Sequence, residues 1–98
     1  MGIDHEWHVV ECFWPDVDDA DLTALDERIV RAVAEPATGR AVRYLGSILL
    51  REDEVVLCRF EGGAEYVRDV AQRASIPFAR ILAASHSARP LSQIGGNE

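Results

Sequence analysis

Two charged residues stand inside apolar runs. Glu11 lies within His5-Glu6-Trp7-His8-Val9-Val10-Glu11-Cys12-Phe13-Trp14, and Arg59 lies within Val55-Val56-Leu57-Cys58-Arg59-Phe60. Removing a lone charge from water is costly, so each needs a partner or must be neutralised. On adjacent strands and on one face, the two would pair. A carboxylate oriented by an arginine at the floor of an apolar pocket can act as a general base or bind a polar ligand group. A structural ion pair, or a pair across a dimer axis, uses the same residues.

Alternation along the first run puts Trp7, Val9, Glu11 and Phe13 on one face and His8, Val10, Cys12 and Trp14 on the other. On the third strand Val56, Cys58 and Phe60 form the cleaner apolar set and are expected to face helices. Val55, Leu57, Arg59 and Glu61 then share the open face with Trp7, Val9, Glu11 and Phe13. Trp7 and Phe13 are expected as pocket or interface residues and Trp14 as core. Alternation in Arg43-Tyr44-Leu45-Gly46-Ser47 puts Arg43 and Ser47 on one side and Tyr44 on the other. If the first two share the open face they add a cation and a hydroxyl to the pocket. The opposite register exchanges the roles. His86 is a candidate for the pocket rim, or belongs to a frayed end.

Metal chemistry finds little support in the spacing. His8 and Cys12 share a strand face but lie about 13 Å apart at ~3.3 Å per residue, too far to hold one ion. His5 and His8 point to opposite faces. Cys12 and Cys58 are expected near each other as small core residues. The chain contains no G-x-G-x-x-G, P-loop, G-x-S-x-G, H-E-x-x-H or paired C-x-x-C pattern. No cofactor is expected.

The elements that must position these residues follow from the same patterning. After the first strand, Pro15-Asp16-Val17-Asp18-Asp19 suits a helix N-terminus, and a helix is predicted from about Asp18 to Glu35. Leu22, Leu25, Ile29 and Val33 make its buried stripe. Strands are predicted over about 40–50 and 55–60, joined as a hairpin by Arg51-Glu52-Asp53-Glu54. A second helix is predicted from Ala64 to Ala74, and a last strand from about Ala79 to His86. The order βαββαβ closes naturally as a ferredoxin-like α+β fold: a four-stranded antiparallel sheet with both helices on one face. Residues 1–86 are expected to form a single domain and 87–98 a flexible tail.

The chain has 98 residues, 48% of them hydrophobic, and a net charge of -7 from 17 acidic and 10 basic side chains. Such an acidic chain is repelled by phosphate backbones and anionic membranes, so neither nucleic acid nor membrane is an expected partner. No apolar run approaches the ~20 residues of a membrane span, and no signal peptide is evident. The cytoplasm is the expected compartment.

The pattern Val42-Arg43-Tyr44-Leu45-Gly46-Ser47, with Asp53-Glu54-Val55 through Phe60-Glu61 and Ala71-Gln72-Arg73-Ala74-Ser75-Ile76-Pro77-Phe78-Ala79-Arg80-Ile81, is similar to a family of small bacterial proteins. They form a ferredoxin-like domain of unknown function that includes a nickel-binding protein. The resemblance spans roughly residues 6 to 86. It implies subunits paired sheet to sheet in a homodimer, an α+β barrel. Histidines are expected at the end of the first strand in the nickel-binding relative, whereas this chain has Cys12, Phe13 and Trp14 there. Three functions stay open: a small-molecule-binding protein or cofactor-independent isomerase or cyclase with an apolar pocket, a nickel-binding protein, and a structural or regulatory dimer without ligand.

Overall fold

The structure, a computed structural model, describes residues 6–35, 42–77 and 80–85. The order is β1 (Trp7–Phe13), α1 (Asp19–Ala34), β2 (Arg43–Leu50), β3 (Val55–Glu61), α2 (Ala64–Arg73) and β4 (Arg80–Ala84). The four strands form one antiparallel sheet in the order β2-β3-β1-β4. This is the ferredoxin-like arrangement. Its central strands, β1 and β3, are hydrogen-bonded on both edges and alternate buried with partly exposed residues, whereas the edge strands β2 and β4 have no fully buried position among the described residues.

Each element carries its own local cause. Asp18 caps α1 with a reciprocal box: its side chain accepts the Asp21 N–H at 2.8 Å, and Asp21 accepts the Asp18 N–H at 3.1 Å. The β2–β3 turn ends on Glu54 in the left-handed region, φ 56°, and the Glu54 carbonyl accepts the Trp14 N–H at 2.8 Å. That bond ties the hairpin to the exit of β1. α2 begins at Gly63 without a side-chain cap.

The core lies between the sheet and the helices. Val10, Cys12, Val56, Cys58 and Phe60 supply the sheet side; Leu25, Ile29, Val67, Val70 and Ala71 supply the helix side. Trp14 packs against this core, as does Tyr44, whose ring centroid is 5.1 Å from that of Phe60. Two arginines close the helix layer reciprocally. Arg28 of α1 donates to the Ala74 carbonyl at 2.9 Å and to the Ser75 carbonyl at 3.4 Å, past the end of α2. Arg73 of α2 donates to the Ala32 carbonyl of α1 at 3.0 Å. Arg28 thus meets carbonyls just past the end of α2, and Arg73 shares the Ala32 carbonyl with the Glu35 N–H that caps α1.

The predicted elements agree with the observed ones to within a few residues. Arg40, Ala41, Ala79 and His86, which the predicted second and fourth strands included, lie outside the described residues, as does the 87–98 tail. Acidic residues gather where β1, α1 and the hairpin meet. Asp16, Asp18, Asp19 and Asp21 stand on one side of this end, and Glu52, Asp53 and Glu54 on the other. Arg51 bridges the sides through Asp19 at 3.3 Å.

Candidate functional site

The helices cover one face of the sheet, and strand pairing orders the other into rows. The first row holds Arg43, Glu61, Trp7 and Ala84. Next come Gly46, Arg59, Val9 and Leu82, then Ile48, Leu57, Glu11 and Arg80, and finally Leu50, Val55 and Phe13. Trp7, Val9, Phe13, Leu57, Glu11 and Arg59 therefore share the open face, as alternation requires.

The apolar residues are not evenly spread. Phe13 is 60% exposed, Ile48 41% and Leu50 39%, and all three lie toward the hairpin end of this face. Together with Val55 and Leu57 they form a contiguous apolar patch on the sheet. Charges lie beyond and beside it.

The expected Glu11–Arg59 pair does not form. Register sets Glu11 opposite Leu57 on one side and Arg80 on the other. Its Oε1 accepts the Arg80 Nε–H at 2.6 Å, a charge-assisted bond across β1 and β4. Arg59 lies opposite Val9 and turns the other way, toward β2. It donates from Nη2 to the Leu45 carbonyl at 2.7 Å and from Nε to the Gly46 carbonyl at 3.4 Å.

Those carbonyls belong to an irregularity that also moves Ser47. Tyr44 pairs with Phe60 and Gly46 with Arg59, which leaves Leu45 as an extra residue in β2. This bulge resets the alternation. Arg43 stays on the open face, where it pairs with Glu61 at 3.0 Å. Ser47 crosses to the helix face and joins Tyr44 rather than Arg43. Both hydroxyls donate to Asp26 Oδ1 of α1, Ser47 at 3.3 Å and Tyr44 through a shorter bond. Burial, followed by this hydrogen bond to Asp26, pushes the Tyr44 phenol well above its usual range. Ser47 is therefore a fastener between β2 and α1, not part of an open-face pocket.

The remaining candidates have structural surroundings. His8 is buried on the helix face, with Nδ1 2.8 Å from the Gly62 carbonyl. Cys12 and Cys58 are both free and buried. Contact with Cys12, and then burial, holds the Cys58 thiol well above its usual range, so it is a poor nucleophile. Among the described residues no group of three or more His, Cys, Asp or Glu side chains comes together to hold a metal ion. His86 lies outside the described residues.

Depressions occur elsewhere. A cleft of about 100 Å³ between Trp14, Val17, Leu49, Arg51, Asp16 and Glu54 lies at the acidic end. A wide, shallow one runs along the outer side of α1 past Asp26, Val30 and Ala34. Neither contains Glu11 or Arg59.

No family model matches this chain. Nor does any curated protein. Among the described residues no helix is long and apolar enough to cross a membrane.

Sequence reasoning missed Arg80 and Asp26 as partners, and it missed the bulge. Arg80 stands in a strand whose alanines carry little signal. The bulge did leave a trace, because a glycine inside a strand run often marks one.

Proposed function

We propose that this protein is a small-molecule-binding protein, or a cofactor-independent acid/base enzyme of isomerase or cyclase type, working as a homodimer. In this reading two open sheet faces meet and enclose an apolar pocket, as in an α+β barrel. The observation that carries it is the open face itself. It is apolar in the middle and at one end, with Glu11, Arg59, Arg43 and Arg80 set into or beside the apolar surface. A wholly structural interface gains little from such groups, whereas a ligand site needs a few oriented polar groups in an apolar wall.

A second copy is the occupant that fits. Four strands at ~4.8 Å spacing and seven residues at ~3.3 Å rise give about 440 Å² of flat surface. Side-chain relief raises this toward the ~800 Å² per partner of a specific interface. In the enzymatic form, Glu11 exchanges a proton with the substrate and Arg80 orients its carboxylate. The free, buried cysteines support a cytoplasmic setting. The similarity to the domain family with a nickel-binding member supports the dimer more than the metal, given the positions of His8, Cys12 and Cys58.

Native mass spectrometry of protein taken from its own host tests this reading. A dimer carrying a reproducible organic mass is the expected result. A bare monomer overturns it, and a dimer carrying stoichiometric nickel transfers the assignment to metal binding.

A further inference from the structure

Arg59 stands apart from the other charges on the open face. Glu11 is held by Arg80, and Glu61 is held by Arg43. Among the described residues, Arg59 bonds to backbone carbonyls and to no carboxylate. The bulge thus fixes the direction of the guanidinium without neutralising it. The two bonds use Nε–H and one Nη2–H of its five N–H donors, and three donors remain. Gly46 permits this posture, because any side chain there would stand against Arg59.

The surroundings favour an anion. Among the described residues the open-face charges are Arg43, Arg59 and Arg80 against Glu11 and Glu61, a net of +1 on a chain whose total is -7. Arg59 is half-buried, flanked by Val9 across the β1 pairing and by Leu57 along its own strand face. A fixed, uncompensated guanidinium beside apolar walls matches a planar oxyanion attached to an apolar body.

We infer that the open-face pocket takes a small apolar carboxylate, with Arg59 receiving the carboxylate group and Val9, Leu57 and Leu82 contacting the apolar part. This rests on the pocket reading above and adds the ligand's charge and chemical class. The guanidinium presents paired N–H donors to the carboxylate oxygens, while the bulge carbonyls keep it from swinging into water. Preorganisation of this kind lowers the cost of ordering the side chain on binding.

The test compares acids with their uncharged isosteres. Titration calorimetry of the full chain with octanoate against octanamide, and phenylacetate against phenylacetamide, reads the charge preference directly. At least one acid should bind about tenfold or more tightly than its amide. Arg59→Gln should bring the acid down to the amide's affinity while sedimentation still shows the wild-type assembly. Arg59→Lys, which keeps the charge but loses the fork, should retain part of the preference and serves if the glutamine variant does not fold. Equal affinity for acid and amide overturns the carboxylate assignment and leaves the pocket reading standing. Absence of binding by all four probes overturns the inference, while host-purified dimer carrying another organic mass would still uphold the pocket. If the wild type shows no acid preference and Arg59→Gln dissociates the dimer, Arg59 is an interface residue and the inference fails.

Discussion

The Arg59 guanidinium lies over the backbone of Gly46, with Nη2 3.3 Å from the point that a Cβ at Gly46 would occupy. Gly46 also has φ +102°, a conformation that L side chains rarely adopt. The bulge therefore needs glycine for two separate reasons, one of backbone and one of space. Gly46→Ala should destabilise the fold by about 1–3 kcal/mol. Thermal unfolding in wild-type and Arg59→Ala backgrounds separates the reasons. Similar losses in both would assign the cost to the backbone; a much smaller loss with Arg59 truncated would assign it to crowding.

Glu11 and Arg80 form a short ion pair, but the Arg80 side chain is 65% exposed. Solvent screening and side-chain entropy keep such pairs weak. Glu11→Gln and Arg80→Ala should each change stability by no more than about 1 kcal/mol in chemical denaturation. Under the proposed function, Glu11→Gln should nevertheless abolish turnover or alter ligand affinity. A large stability loss with unchanged ligand behaviour would make the pair structural.

Phe13 tests the covered face. It is the most exposed of the large apolar residues on that face, and 60% of its surface is open to solvent. Phe13→Glu should convert the proposed dimer to monomer, measured by sedimentation equilibrium, with the circular dichroism of the folded chain preserved. A dimer of unchanged affinity would place the contact elsewhere.

Tyr44 sets a limit on alkaline stability. Its phenol is held well above the usual 10.0, so the folded chain resists a charge that the unfolded chain accepts. The stabilisation is complete below about pH 10 and declines above it. Tyr44→Phe should cost about 1–2 kcal/mol at neutral pH through the lost bond to Asp26. It should also flatten the decline above pH 10. Unfolding midpoints from pH 7 to 11 give both readings, and an unchanged slope would separate Tyr44 from the alkaline loss.

Much of the fold was legible because its signals are local. The Asp18 cap, the helical spacing of Leu25 and Ile29, and the acidic hairpin turn each specify an element without help from distant residues. The site was less legible because it depends on register. Glu11 and Arg59 do share a face, but Glu11 aligns with Leu57, so Arg59 meets Val9 instead. Arg80 reaches Glu11 only through the pairing of β4, where adjacent Ile81 and Leu82 followed by two alanines give no alternation to assign its faces. In β2, one extra residue separates Arg43 from Ser47 in parity. Simple alternation assigns both to one face, and only the pairing with β3 places the bulge at Leu45.

The acidic end of the molecule bears on how two copies can meet. Seven carboxylates, Asp16, Asp18, Asp19, Asp21, Glu52, Asp53 and Glu54, border the same end of the sheet as the apolar Phe13, Ile48 and Leu50. Stacking these ends directly would set like charge against like, with Arg51 the offsetting cation among the described residues there. A half-turn that lays each acidic end over its partner's Arg43 end relieves this repulsion and turns it into attraction. Charge would then choose the orientation while apolar contact supplies the adhesion. Ionic strength reads out the difference: dimer affinity that weakens from low to high salt indicates the crossed arrangement, and affinity that strengthens indicates stacked ends.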